Sequence, residues 1–153
     1  MTAIRQQGQP PAIEARERSD HQDQIEHNYQ MWLIPDRTPT NFGYHQLQFA
    51  DYERQGCLRL YVSPDGRDGS MPINTDAFIY SGRFKGGDRL SHALTPHRGV
   101  WLQVVHGALQ VAGHDLSAGD GIGITQTAQL DVSFIDHSEI LLFDLGLNAP
   151  RIW

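Results

Sequence analysis

The chain has 153 residues, of which 39% are hydrophobic and 20% are charged, values typical of one ordinary soluble domain. Its formal net charge is −6 and it has no run of Lys or Arg, which argues against nucleic acid or an anionic membrane as a main partner. The sequence contains neither an apolar signal region nor the roughly 18 consecutive apolar residues that a membrane span needs. We therefore expect a cytoplasmic protein.

Cys57 is the only cysteine, so the chain cannot form an internal disulfide, and this is compatible with a reducing compartment. Because Cys57 begins an alternating apolar run, we predict that it is a small core residue and not a nucleophile.

The N-terminal segment is polar and is predicted to lie outside the core. Residues 6–28 are rich in charge and contain no convincing strand, so they are expected to form an ordered loop or a flexible arm. We therefore divide the chain into an arm, residues 1–28, and a domain, residues 29–153.

Short alternating segments follow from residue 29 onward and predict strands. They cover residues 29–35 (ended by Pro35), 42–49, 57–62, 77–84, 89–94 and 130–135. Residues 139–145 are apolar throughout their middle, which predicts a last strand that is buried on both faces. Residues 63–66, Ser-Pro-Asp-Gly, predict a turn, since Pro fixes φ and Gly accepts a positive φ. Residues 65–69 resemble part of a calcium loop in composition but lack its spacing, so we interpret them as a plain turn. Residues 82–87 are predicted to be a strand end with a hairpin turn.

Residues 100–124 are the most informative stretch, VWLQVVHGALQVAGHDLSAGDGIGI. Its apolar runs are broken by Gly-containing turns, a pattern typical of consecutive antiparallel strands. Together with the other segments it gives ten or eleven strands and no long helical period. The sequence therefore predicts an all-β sandwich or barrel.

Four strings in order resemble the pirin family, and most closely its bacterial members described as quercetinases. They are YQMWLIP from Tyr29, VSPDGRDGS from Val62, VWLQVVHG from Val100 and EILLFDL from Glu139, and the resemblance covers residues 29–146. It implies a single cupin-type jelly-roll barrel with a polar N-terminal arm, similar to the C-terminal half of a pirin. Residues 1–5 are a candidate for what remains of the family's first strand.

The resemblance also implies which metal chemistry to look for. Pirins are bicupins, and their N-terminal cupin holds an iron-type metal through three His and one Glu, beginning with a Pro-His-x-His segment. This sequence has no such segment. We therefore expect a pirin-like chain that lacks the metal-binding N-terminal cupin.

The remaining cupin also departs from the general pattern of metal-binding cupins, which supply His-x-His, then Glu, then a further His after the Gly-Asp turn. Here His92 and His97 are five residues apart, which places them on opposite faces of a regular strand. Val100 occupies the position expected of the Glu, and no His follows Gly119-Asp120. The sequence thus predicts no metal ligands, no cofactor and no catalytic set.

The other histidines are predicted to be structural or solvated. His45 is expected to point outward from a strand, and His21 and His27 belong to the arm. We expect the remaining three histidines to be exposed because they lie in predicted loops; they are His106, His114 and His137.

A barrel mouth is a usual place for a small ligand, which defines a candidate pocket. Its predicted residues are Tyr80, His92, His97, Trp101 and Gln103, although core packing is an alternative role for Tyr80 and Trp101. The first hypothesis is a metal-free binding or interaction module whose partner is a small molecule or a protein. We also expect a homodimer, because strand edges left by a lost partner domain would need covering, and the N-terminal arm is one segment that could cross between subunits.

The second hypothesis is an enzyme, a metal-dependent oxygenase similar to the pirin-like quercetin 2,3-dioxygenases. It would need iron or another divalent transition metal, held by His92, His97 or a histidine of a second subunit. A third possibility, a regulatory partner protein, follows from the resemblance to pirin alone.

Overall fold

The computed structural model describes residues 2–6, 29–36 and 43–148, and every structural statement below concerns these residues. They form twelve strands and two short 3₁₀ helices, residues 51–54 and 67–69. The strands are β1 Thr2–Gln6, β2 Gly43–Leu47, β3 Leu58–Ser63, β4 Met71–Pro72, β5 Ala77–Phe84, β6 Arg89–Ala93, β7 Arg98–His106, β8 Ala108–Val111, β9 His114–Ser117, β10 Gly121–Ile124, β11 Gln129–Phe134 and β12 Ser138–Gly146.

Two main sheets face each other in a jelly-roll sandwich and do not close into a barrel. The large sheet has the strand order β10-β7-β12-β5-β3-β4, and the small sheet has the order β6-β11-β8-β9. All neighbouring strands are antiparallel except β3 and β4. The predicted all-β, cupin-type jelly roll is thus confirmed.

The main core lies between the two sheets and comes from strict alternation along the strands. In β11, Leu130, Val132 and Phe134 are buried while the residues between them are exposed. The rings of Phe84 from the large sheet and Phe134 from the small sheet stack with centroids 4.2 Å apart. Val100, at the position expected of a cupin carboxylate, is buried in this apolar core.

A smaller apolar cluster covers the opposite face of the large sheet. Ile79 and Phe143 belong to it, since they alternate with Tyr80 and Leu142, which face the small sheet. Leu33 and Phe49 pack against this cluster from the N-terminal side. Leu33 and Phe49 therefore lie on the outer face of the large sheet.

Residues 29–36 do not form the predicted strand. The backbone N–H of Asp36 donates to the carbonyl of Asn74 at 3.0 Å, but residues 29–36 pair with no described strand. Several of their side chains are exposed, with Trp32 77% exposed and Ile34 54% exposed. An alternating pattern alone is insufficient here, because a strand also needs a partner for its backbone.

The other strand predictions agree with the structure to within about two residues at their ends. Residues 1–5 overlap β1, which pairs antiparallel with β2. Residues 7–28, and with them most of the predicted arm together with His21 and His27, lie outside the described residues. The boundary between arm and domain therefore remains a prediction.

Two predicted connections need correction. Residues 85–88 do form a turn, in which the N–H of Asp88 donates to the carbonyl of Lys85 at 3.0 Å. This turn joins β5 of the large sheet to β6 of the small sheet, so it is not a hairpin. Likewise β7 and β8 belong to different sheets, because the chain changes sheet at Gly107.

Cys57 is exposed and is not the predicted core residue. It lies just before β3, and its thiol donates to the carbonyl of Glu53 at 3.3 Å. The strand therefore starts only at Leu58, and its buried residues begin at Leu60.

The loop histidines behave as predicted, and one strand histidine differs. His106, His114 and His137 are exposed, whereas His45 in β2 is half-buried and not fully outward. Within the described ranges, both helices are too short to cross a membrane.

Candidate functional site

A cleft of about 710 Å³ opens at one end of the sandwich, where β5, β6 and β12 approach the start of β7. We call it the His92 cleft. The side chains that give it chemical character are Arg67, Phe78, Tyr80, His92, Arg98 and Asp144. Tyr80 and Asp144 reach it because inward-facing positions of β5 and β12 continue past the end of the apolar core.

A hydrogen-bonded network joins His92, Asp144 and Arg98 in this cleft. His92 Nε2 lies 3.1 Å from Asp144 Oδ2, and Arg98 Nε donates to Asp144 Oδ1. Arg98 also donates to the backbone carbonyl of Asp144 at 3.0 Å and to Asp76 Oδ1 at 2.6 Å. Since an ionised carboxylate can only accept, His92 Nε2 is the donor in this hydrogen bond.

The network fixes the charge of its buried members. Burial alone would raise the pKa of Asp144, but hydrogen bonds from His92 and Arg98 and the charge of Arg98 outweigh it and lower that pKa. Burial would lower the pKa of Arg98, yet its bonds to Asp76 and Asp144 raise it. Arg98 and Asp144 thus form a largely buried ion pair, and the exposed Asp76 is a second counter-charge for the same guanidinium.

Aromatic rings form the rest of the wall. The rings of Tyr80 and His92 meet edge to face with centroids 5.3 Å apart. Burial raises the pKa of the Tyr80 phenol, and the Asp144 charge adds to this, so the hydroxyl stays protonated at neutral pH. The guanidinium carbons of Arg67 and Arg98 lie 5.0 and 4.9 Å from the centre of the Phe78 ring, which is cation–π distance.

Of the predicted pocket residues, the structure brings Tyr80 and His92 together in the cleft and leaves the other three outside it. His97 is exposed in the turn before β7, where it has a φ of 67°. Trp101 and Gln103 lie on the outer face of the large sheet, because they alternate with the buried Leu102 and its inward neighbours. The Gln103 amide is used there to donate to the carbonyls of Gly119 and Asp120 at 3.0 and 2.9 Å.

Comparison with known proteins places this architecture in a family. Residues 60–145 match the family model of the quercetinase C-terminal cupin domain, the second half of the pirin fold. The chain belongs to the pirin family. Its pirin-like part covers the whole sandwich from β3 to β12.

Pirin-like relatives are similar over most of this chain. The quercetin 2,3-dioxygenase of Escherichia coli K12 is 32% identical over 119 residues, which are 78% of this chain and 50% of the relative. A putative quercetin 2,3-dioxygenase of Pasteurella multocida is 35% identical over 121 residues, 78% of this chain and 51% of that protein. The chain thus spans about half the length of these curated relatives.

Solved pirin structures confirm the fold. YhhW from Escherichia coli superposes with a TM-score of 0.72 at 29% identity, covering 78% of this chain and 50% of that one. The bacterial pirin YhhW in complex with nickel(II) gives a TM-score of 0.70 at 32% identity, covering 75% and 48%.

The metal that the pirin family implies does not fit the residues of the His92 cleft. A transition metal with open positions needs several imidazoles and a carboxylate that converge on one point. Here the cleft has one His, whose Nε2 is held by Asp144, while Arg98 takes the other oxygen of that carboxylate. In the part of the chain that the structure describes, no group of three or more His, Cys, Asp or Glu could hold a metal ion.

A second, smaller cleft of about 390 Å³ lies at the other end of β12 and includes His106 and His137. Its carboxylate, Glu139, accepts hydrogen bonds from Arg54 at 2.6 Å and from Arg83 at 2.9 Å. This acid is therefore also neutralised by protein cations and is not available as a free ligand.

The sequence prediction missed Arg98, Asp144 and Phe78 as cleft residues. Asp144 carried a usable signal, since it is the one charge near the end of the otherwise apolar run Ile140 to Leu145. A charge in a doubly buried strand requires a partner, so its position alone indicated a polar network.

Proposed function

We propose that this chain is a metal-free, pirin-like cupin that binds a small molecule in the His92 cleft. The observation that carries the proposal is the closed network of His92, Asp144 and Arg98. The guanidinium supplies the positive charge that this carboxylate needs, so the cleft keeps its polar groups ordered with no bound cation.

The balance of charge in the cleft favours a ligand without a large net charge. Three arginines, Arg59, Arg67 and Arg98, and three aspartates, Asp68, Asp76 and Asp144, line it. Several of these already pair within the protein, which leaves hydrogen bonding and ring contact as the main means of recognition. Tyr80 and Phe78 supply aromatic surface, and the Tyr80 hydroxyl can both donate and accept.

The binding proposal is tested by nuclear magnetic resonance with uncharged phenols and polyols as probes, quercetin included. Binding in the cleft predicts that amide shifts cluster on β6 and the adjoining turn, around His92, Ala93 and Thr95. Tyr80→Phe removes only the hydroxyl and should weaken binding about five- to tenfold. Tyr52→Phe, at a 79% exposed position outside the cleft, is the matched control and should leave the affinity unchanged. Shifts confined to other surfaces would refute the proposal.

The alternative function is a metal-dependent oxygenase, and the specific observation that favours it is the 32% identity with a protein named quercetin 2,3-dioxygenase. In that case residues outside the described ranges or a second polypeptide would have to complete the metal site. The test is quercetin consumption under air by untagged protein supplied with iron(II), copper(II), nickel(II) or manganese(II). Consumption that is lost in His92→Ala, and retained in the exposed control His114→Ala, would support the oxygenase.

A further inference from the structure

The edges of the two main sheets are not protected equally. An exposed edge strand presents unpaired N–H and C=O groups that can pair with another chain. Proteins usually prevent such pairing with a charged residue, a proline or a very short edge strand. Among the described residues, the edge strands are β4 and β10 in the large sheet and β6 and β9 in the small one. β4 has two residues, one of them Pro72, while β6 carries Arg89 and β9 carries Asp115.

The remaining edge strand, β10, has none of these protections. Its sequence is Gly-Ile-Gly-Ile, residues 121–124, and no charged residue or proline occurs between Asp120 and Asp131. β10 pairs with β7 on one side, and no described strand pairs with its other side. The outer backbone groups of β10, which no described strand pairs, are therefore a template for a further antiparallel strand.

An exposed aromatic ring lies over the same strand. A Cβ atom built on Gly121 would come within 2.5 Å of the Trp101 indole, and one on Gly123 within 3.5 Å. The indole therefore rests on the outer face of β10, where glycines leave room for it. Trp101 is nevertheless 44% exposed, so it adds apolar surface beside the open edge.

We propose that β10 is the dimerisation edge of this protein and that its occupant is the β10 strand of a second copy. Two antiparallel copies related by a two-fold axis form the same contacts in both directions, as a closed dimer requires. Because the strand is uncharged, no like charges oppose each other across this axis. The two large sheets then become one continuous sheet, and each copy brings one Trp101 ring to the contact.

A second copy fits this edge better than an unrelated strand does. The edge has no charge that would select a partner of opposite sign, and its own sequence is the complement that the two-fold axis supplies. Dimerisation through β10 does not involve the His92 cleft, so this inference stands independently of the proposed ligand.

The untagged chain of 153 residues tests the proposal by light scattering coupled to size exclusion, from about 1 to about 100 µM. The mass is expected to rise with concentration toward twice the 17.2 kDa of one chain. Gly123→Lys introduces a charge at a position where a Cβ has ordinary van der Waals room, and it should weaken dimerisation at least tenfold. Ser133 is exposed on β11, which lies between β6 and β8 and is not an edge strand. Ser133→Lys is therefore the matched control and should dimerise like the wild type.

Hydrogen exchange on the wild type gives a second readout that needs no variant. Amides of residues 121–124 should become more protected as the concentration rises, while those of the small sheet do not change. A wild type that stays monomeric overturns the proposal, as does a Gly123→Lys variant that dimerises normally. Protection at 121–124 that does not depend on concentration also overturns it, since another part of the same chain would then cover the edge.

Discussion

His92 Nε2 and Asp144 Oδ2 lie 3.1 Å apart and connect the two sheets across the open end of the sandwich. His92 belongs to β6 of the small sheet and Asp144 to β12 of the large one. The packing between the sheets is mainly apolar, and near the other end of β12 the Ser138 hydroxyl donates to the carbonyl of Ala108 in β8 at 3.1 Å. The His92–Asp144 contact is the polar link at the place where the core gives way to a cleft. The stability of the fold and the shape of the cleft therefore depend on the same residues.

Removal of the imidazole should cost stability as well as alter the cleft. We expect His92→Ala to lower the free energy of unfolding by about 1–3 kcal/mol, because the half-buried hydrogen bond to Asp144 and the edge contact with Tyr80 are both lost. His114→Ala, at an exposed position of β9, should stay within about 0.5 kcal/mol of the wild type. Urea unfolding measures the free energy of unfolding of both variants. Equal losses in the two would contradict a stabilising contact between His92 and Asp144.

Neutralising the carboxylate should have a larger effect. Asp144→Asn preserves the size of the side chain but leaves the half-buried Arg98 without its closest counter-charge, and we expect a loss of about 3 kcal/mol. The exposed Asp131→Asn in β11 is the control and should change stability by less than about 0.5 kcal/mol. Thermal unfolding compares the two, and a stabilised Asp144→Asn variant would contradict the account.

The same pair predicts how stability depends on pH. Because the folded state lowers the pKa of Asp144, its contribution is complete above the unfolded pKa of about 3.9 and is lost as the pH falls through the lower folded value. The wild type should therefore lose more stability than Asp144→Asn when the pH is lowered from about 5.5 to about 3. Urea unfolding at several pH values tests this difference, and parallel curves for the two proteins would refute it.

The glycine at which the chain changes sheet should tolerate no side chain. Gly107 has a φ of 81°, and a Cβ there would overlap the His137 carbonyl and the Ser138 hydroxyl. Gly113 has a similar φ of 78° but open space around it. Substitution of Gly113 therefore measures the cost of backbone strain alone, without steric overlap. Gly113→Ala should cost about 1–2 kcal/mol and Gly107→Ala clearly more. Equal losses on denaturant unfolding would show that the close approach at Gly107 is unimportant.

The inter-sheet core should respond as a fully packed interior. Leu102 is completely buried, and Leu102→Ala should cost about 2–5 kcal/mol through lost apolar contact and the cavity left behind. Ile135, which is 59% exposed, gives the control Ile135→Ala with an expected effect below about 1 kcal/mol. A small effect at Leu102, measured by the same denaturant titration, would contradict the assigned core.

Local pattern was sufficient to predict most of the fold. Period-two alternation identified β11, because one face of that strand is buried against the other sheet. The apolar run 139–145 identified β12, which contacts apolar clusters on both of its faces. The alternation rule failed for residues 29–36, since alternation does not specify a backbone partner. It also misled at Cys57, where the alternating run of the sequence begins one residue before the strand does.

The site was harder to predict than the fold, for a physical reason. His92, Arg98 and Asp144 meet although up to 52 residues separate them along the chain, and no local pattern encodes that contact. The misplacement of Trp101 and Gln103, in contrast, was avoidable. They alternate with Val100, Leu102 and Val104, so the sequence already put them on the face opposite to the core.

We propose that Arg98, and not a metal ion, balances the carboxylate of the His92 cleft. Elemental analysis of untagged protein, purified without added metal or chelator, tests it most directly. We predict iron, copper, nickel and manganese each well below one atom per chain, with His92 and Asp144 still in contact. One atom per chain of any of these metals, lost on replacement of His92 by alanine, would contradict the account.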